Sequence, residues 1–478
     1  MQDRARVPLR SAGWWLLVLA TSLPAAACSQ EGPLSDEEMS TLRQLAMPAP
    51  LPEDRSNEVA DDPAAARLGK KLYFDPRYAG KLGAYNVTGR NGALGNQDDE
   101  KMVSCASCHD PGKGGADLRS RPSATSLGAG YTSRNAPTVI NSAYSPLWQF
   151  WDGRADSLWS QALLPPEGEA ECNGNRLRVA HVIIDHYRQD YDDVFATRWP
   201  DYALATAMAA NLPADGKPGA IADCQAAPDN AKEPFLDAYD CLSSDDRAMV
   251  DRIYANFGKA IAAYERRLVS TAFAPSAFDR FMAGDTQAMS PAAIRGARLF
   301  VGHAGCMECH NGPALSDFSF HNVGAPQTGE YAPATDLGRA TGIADVTVSA
   351  FSRKTTFSDD REGQATAAVL ALASLDDGAK QAYAGQFKTP TLRNVAKTAP
   401  YMHDGAYQSL WDVVNHYNFG GATGQYSGVK DPAIAPLMLT DAELSDLVEF
   451  LRALDDGDAL PDDNFPDPDG LVGTPPLP

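Results

Sequence analysis

Two short segments carry most of the chemistry in this chain: Cys105-Ala-Ser-Cys108-His109 and Cys306-Met-Glu-Cys309-His310. In each, two thiols stand three positions apart and an imidazole follows directly. That spacing lets both thiols reach the vinyl groups of one porphyrin while the His lies under the metal, the pattern of covalent c-type haem attachment. A zinc site would need the two motifs to share or complete a tetrahedron. A redox thiol pair would leave the following His unexplained twice. Two covalently bound haems c are therefore expected, with His109 on the first iron and His310 on the second. An electron carrier needs only closed, six-coordinate iron, whereas a peroxidase needs an open position with an acid or base beside it. The far side of each haem decides the function.

The elements that must position these motifs are helical. Apolar residues recur three and four apart, as in Met249-Val250-Ile253-Phe257-Ile261-Tyr264-Leu268, and no comparable run alternates. Ser290-Pro291 and the capping-box pattern Thr440-Asp-Ala-Glu443 mark helix starts. The expected fold is mainly α, with two cytochrome-c-like haem domains, because the motifs begin at positions 105 and 306. The N-terminal domain is placed at residues 63–275 and the C-terminal one at 285–455. Residues 28–62 read as a flexible acidic linker and 456–478 as a disordered tail rich in Pro and Asp. Leu212 to Pro234 and Ile343 to Tyr383 read as insertions.

Arg4 to Arg10 precede an apolar stretch, Gly13 to Ala20, too short to span a bilayer, so residues 1–27 are expected to be a signal peptide. Lipoprotein processing at Ala25-Ala-Ala-Cys28 would leave Cys28 as a lipid anchor; ordinary cleavage near Ala27 is the alternative. A periplasmic protein follows, anchored or free. With 62 acidic against 41 basic residues and a net charge of −21, nucleic acid and anionic membrane surfaces are disfavoured, and a small basic electron carrier is a natural partner. Cys224 and Cys241 flank one insertion and can be bridged in an oxidising compartment, which leaves Cys172 odd.

Further segments accompany the haem motifs: Leu68-Gly-Lys-Lys-Leu-Tyr-Phe-Asp-Pro76, Arg134-Asn-Ala-Pro-Thr138, Gln149-Phe-Trp-Asp-Gly-Arg-Ala155, Phe318-Ser-Phe-His-Asn-Val-Gly324, Phe387-Lys-Thr-Pro-Thr-Leu-Arg-Asn394 and Ala399-Pro-Tyr-Met-His-Asp-Gly405. In this ordered set, spanning residues 64 to 455, the chain resembles the bacterial di-haem cytochrome c peroxidase family, which includes the MauG-type enzymes that mature methylamine dehydrogenase. The resemblance implies that the first haem is peroxidatic and the second transfers electrons, with Trp151 as a relay between them. It implies a distal pocket lined by Gln161 and Glu171, with Glu171 as general acid/base; Glu167 and Glu169 leave the register open. Many members carry a distal His where this chain has Ala129, so the resting first iron is expected to be five-coordinate. Tyr417 stands where the peroxidases usually have a Met ligand to the second iron, as in MauG-type enzymes. His416 and Met438 compete with it for that role.

The resemblance also implies a calcium ion held by the Asn135 side chain and the carbonyls of Thr398 and Pro400, an oxygen-only set that suits calcium. His321 is expected behind the second haem, while His181, His186 and His303 carry no motif. The implied activity is reduction of hydrogen peroxide with electrons from a small cytochrome c or copper protein. A MauG-like oxidase acting on a protein or other organic substrate is the alternative, and a plain di-haem electron carrier a further one. Dimers are common in the family, so a homodimer is an expected form.

Overall fold

The computed structural model describes residues 33–47, 49–119, 125–204, 212–216, 218–219, 239–269 and 275–457. The expected signal peptide, Cys28, Cys224 and residues 458–478 lie outside them. The unit that begins at Leu34 is mainly helical. Among the described residues its one sheet has two antiparallel strands, Phe320–His321 and Phe387–Lys388, which place Phe320 opposite Lys388 and His321 opposite Phe387. This matches the dominance of helical periodicity over alternation.

Two large apolar cores and a small third cluster around Met47, Tyr144 and Ala314 form inside this unit. The first is built on Ser244–Glu265, the helix predicted from the 249–268 periodicity, whose start is capped by the Ser243 hydroxyl. Pro63–Phe74 packs along it so closely that a Cβ on Gly69 would lie 1.9 Å from the Ala260 carbonyl oxygen. Only glycine permits that approach. The second core centres on Pro291–Val301 and Asp441–Arg452, where Gly296 makes the same kind of contact with the Asp446 carbonyl. Both predicted helix starts are present. Ser290 accepts from the Ala293 amide at 3.1 Å, and Thr440 and Glu443 form the reciprocal capping box.

Two expectations about boundaries change. The stretch expected to be a flexible linker holds a helix, Asp36–Arg43, with its own capping box at Ser35 and Glu38. Leu42 and Leu45 are fully buried in the second core, and Arg298 binds Glu38 at 2.9 Å. The acidic residues that suggested a solvated linker occupy the first helical turn, where they favour the helix dipole. The insertion from Ile343 to Tyr383 is also structured, holding the helices Arg339–Val348, Gln364–Ala373 and Asp377–Gln381. It reaches back to the first core, where Phe351 is buried and Asp359 pairs with Lys259 at 2.7 Å. Asp455 and Asp456, at the edge of the expected tail, are bonded to residues 394 to 397.

Candidate haem sites and the path between them

Cys105–Cys108 is a single helical turn, and the His109 amide closes it on the Cys105 carbonyl at 2.9 Å. Cys306–Glu308 is likewise a turn, closed by the His310 amide on the Cys306 carbonyl at 2.9 Å. The backbone therefore presents thiols and imidazole from one compact loop in both places. His109 Nδ1 lies 2.9 Å from the Pro137 carbonyl, and His310 Nδ1 lies 3.0 Å from that of Leu315. A carbonyl only accepts, so Nδ1 carries the proton and Nε2 is left bare for a metal. Burial pushes both imidazoles below their ordinary pKa, keeping them neutral as iron ligands require. The Tyr73 phenol donates to the His109 carbonyl from beneath.

All four motif cysteines are free thiols, part-buried and outside any disulfide, so both sites fit covalent haem attachment. Cys172 is also free and buried. Cys241 is disulfide-bonded, and its expected partner Cys224 lies outside the described residues.

The second motif opens on a cavity of about 300 Å³, lined by Cys306, Cys309, His310 and Tyr417 and reached from the other half of the chain by Asn135 and Trp151. The two alternatives to Tyr417 are placed differently. His416 has both ring nitrogens occupied, by Tyr407 Oη at 2.9 Å and the Val323 carbonyl at 3.0 Å. Met438 is 83% exposed. Burial, reinforced by the nearby Cys306 and Cys309, raises the Tyr417 phenol well above its usual range, so metal coordination would be needed to ionise it.

Of the three acidic candidates near the first motif, Glu167 is taken by Arg176 in a two-point ion pair at 2.8 and 2.9 Å, and Glu169 is exposed. The Glu171 carboxyl makes no hydrogen bond or ion pair with another described residue. It lies near enough to Cys108 to affect that thiol, and burial raises its own pKa against the pull of Arg154. The Glu171 carbonyl accepts from the Ala129 amide at 2.7 Å, fixing the loop with the small side chain beside the acid. Gln161 ends the short helix Leu158–Gln161 and is half-buried.

One three-residue segment links the two sites. The Pro137 carbonyl holds His109, and the Asn135 carbonyl accepts from Trp151 Nε1 at 2.8 Å. Asn135 Nδ2 also donates to the Pro400 carbonyl at 2.7 Å, and Thr398 lines the same cavity. His321 sits between Asp317 and Asp431 at 3.0 and 2.9 Å, and Asp317 foremost, then Cys309 and Asp431, raise its pKa to about 11 against the effect of burial. His181 and His303 bond backbone carbonyls, of Pro213 and Leu437.

Two residues were not found from the sequence. Arg119 donates to Cys108 Sγ at 3.4 Å, to the Ser107 carbonyl and to the Leu127 carbonyl, but a lone Arg between loops carries no motif. Lys388 is part of a quoted segment, yet only the fold shows its ammonium in the wall of the second cavity, where burial lowers its pKa to about 8.

A mainly helical chain that folds two such motifs onto separate cores, joined through one segment, defines a di-haem protein. A sequence profile of the di-haem cytochrome c peroxidase family matches residues 63–214. Cytochrome-c peroxidase IdrP1 of Denitromonas iodatirespirans is 31% identical over 447 residues, covering 91% of this chain and 92% of the relative. Methylamine utilization protein MauG of Methylorubrum extorquens is 28% identical and covers 94% and 96%. A solved MauG-like protein associated with microbial copper homeostasis shares the fold, with TM-score 0.55, 24% identity and coverage of 88% and 98%. The chain belongs to the di-haem cytochrome c peroxidase family and is an oxidoreductase of that type.

Proposed function

We propose that this protein reduces hydrogen peroxide to water at the haem of His109, drawing electrons through the haem of His310 from a small periplasmic redox protein. Cys105 and Cys108 hold the first haem covalently, Cys306 and Cys309 the second, in two cytochrome-c-like domains. Bound haem supplies the redox-active metal at each centre. The chain's own contribution at the first site is proton handling. The observation that carries this reading is the unpaired, half-buried carboxyl of Glu171 next to a loop that offers Ala129 and no His. A carboxyl in such surroundings takes the proton from one peroxide oxygen and returns it to the other, which favours cleavage of the bond between them. Gln161 orients the peroxide. Trp151, fixed by Asn135, carries electrons between the sites. Asn135, Thr398 and Pro400 are oxygen donors for calcium at the same junction, with the Asn135 amide turned to present Oδ1.

The test is steady-state peroxide reduction with a reduced small cytochrome c or copper protein as donor. Rapid turnover supports the peroxidase. Weak turnover with a long-lived two-electron-oxidised protein supports the second reading, a MauG-like oxidase of a protein or organic substrate, which the position of Tyr417 favours. Two substitutions follow. Tyr417→Phe is expected to change one low-spin haem signal in the electron paramagnetic resonance spectrum of the oxidised protein and to raise that centre's reduction potential, because a phenolate-like ligand favours oxidised iron. An unchanged spectrum would remove Tyr417 from the metal. Trp151→Phe should cost about 1 kcal/mol through the lost hydrogen bond to Asn135. Stopped-flow reoxidation should show it slowing electron passage between the haems far more than that small loss explains.

No described helix is long and apolar enough to cross a membrane. Export to the periplasm, with or without lipid on Cys28, rests on the sequence of the first 28 residues, and a homodimer on the family's habit.

A further inference from the structure

Three tyrosines from distant parts of the chain meet at one place. The rings of Tyr131 and Tyr331 are stacked with centroids 3.5 Å apart and planes 6° from parallel. Tyr85 packs edge-on to both, at 5.3 and 5.4 Å, and is 46% exposed. Such a cluster at a rim is not needed for a core, since the apolar cores lie elsewhere.

What singles it out is its attachment to the first haem site. Tyr131 pairs across a tight loop with Leu127, and the loop tip is the Ala129 whose amide binds Glu171. Arg119 ties the Leu127 carbonyl to Cys108 Sγ. Asn86, next to Tyr85, donates to the carbonyls of Gly128 and Ala129 at 2.9 and 3.0 Å. The aromatic stack therefore starts two residues from the candidate distal wall and ends at solvent.

Resting on the peroxidase reading, we propose that Tyr131, Tyr331 and Tyr85 form an oxidation relay from the first haem site to the surface, where phenolic one-electron donors are oxidised without passing through the second haem. Each transfer removes one electron and one proton from a phenol. The donor ArOH then returns both and leaves as ArO•, so that H2O2 + 2 ArOH gives 2 H2O + 2 ArO•. Without a donor, the two stacked rings hold the oxidising equivalents themselves. Two phenoxyl radicals then couple through a carbon–carbon bond, and H2O2 plus two tyrosines gives dityrosine and two waters.

The experiment is peroxide addition to the haem-loaded protein without donor, with peroxide consumption, dityrosine fluorescence and peptide mass spectrometry followed together. Consumption with a Tyr131–Tyr331 cross-link, lost in Tyr331→Phe, is the expected result. That variant keeps the stacked ring but has no phenol to oxidise, and it should retain peroxide reduction driven by reduced cytochrome while losing phenol oxidation. Consumption with no oxidised tyrosine at these positions, or a cross-link that persists in Tyr331→Phe, overturns the relay alone. Absence of consumption overturns the relay alone where reduced cytochrome still drives peroxide reduction, and the peroxidase reading with it where reduced cytochrome does not.

Discussion

Glu171→Gln is expected to lower peroxide turnover by about 10²–10⁴-fold, the range that one positioned acid or base contributes, while both haems remain attached. The substitution keeps the size and polarity of the side chain and removes only its ability to exchange a proton. Its effect on stability should have the opposite sign. Burial raises the Glu171 pKa above that of an unfolded chain. Between those two pKa values the folded state binds more protons than the unfolded state, so this group's contribution to stability falls as pH rises. At neutral pH the ionised, partly desolvated carboxyl is a cost that Gln does not carry. The variant should therefore melt at the same temperature as the parent or higher, and the difference should shrink in acid. For the parent, the same pKa sets the acid limb of the profile: kcat/KM should fall as pH drops through the raised value, because the carboxylate that accepts the peroxide proton is lost. Turnover within a few-fold of the parent, or an acid limb that survives in Glu171→Gln, would move the proton-transfer role to another residue.

The haem motifs and the helical class are readable in the sequence because both are local. Cys-x-x-Cys-His is fixed by bond lengths within one turn, and the period of the 249–268 stretch is a property of neighbouring residues. Which of Glu167, Glu169 and Glu171 is left without an ion-pair partner is not a local property. It depends on Arg176, which comes from the next helix and neutralises Glu167. The same is true of Tyr417 and His416, adjacent in sequence yet differently surrounded, because Tyr407 and the Val323 carbonyl occupy both nitrogens of the His416 ring. The supposed linker misled for a related reason. Acidic composition over residues 34–43 resembles a solvated segment unless Leu42 and Leu45 are matched to a groove that only the second core provides.

Arg134→Met is expected to destabilise the folded protein by about 3–5 kcal/mol, the usual cost of removing one partner from a buried ion pair. Arg134 is part of the Arg-Asn-Ala-Pro-Thr segment, just before the residues that hold Trp151 and His109. Its guanidinium grips Asp336 at two points, 2.7 and 2.8 Å, and Asp152 at a third. Asp152 also precedes Gly153, and the carbonyls of both accept from Arg339 at 3.1 and 2.9 Å. The network thus joins the turn that carries Trp151 to the segment leading into Arg339–Val348. Arg134 and its two partners in this node are almost fully buried, with side-chain exposures of 12%, 3% and 5% for Arg134, Asp152 and Asp336, so solvent screens them little. Met fills most of the volume but leaves two aspartates facing each other without their shared cation. Neutralising one of them in Arg134→Met with Asp336→Asn should recover part of the loss, whereas independent sites would add. The pH dependence gives a second check. Burial opposes ionisation of both aspartates, but Arg154 and Arg134 hold Asp152, and Arg134 holds Asp336, below the ordinary carboxylate pKa. Lowered pKa values contribute stability that is present above the unfolded value and lost as pH falls through the folded one. Denaturant midpoints of the parent should therefore decline in acid more steeply than those of Arg134→Met. Parallel pH curves for the two proteins would mean that the guanidinium is not what keeps these aspartates charged, and the joint between the two haem sites would have to be sought in the apolar contacts around Trp151 instead.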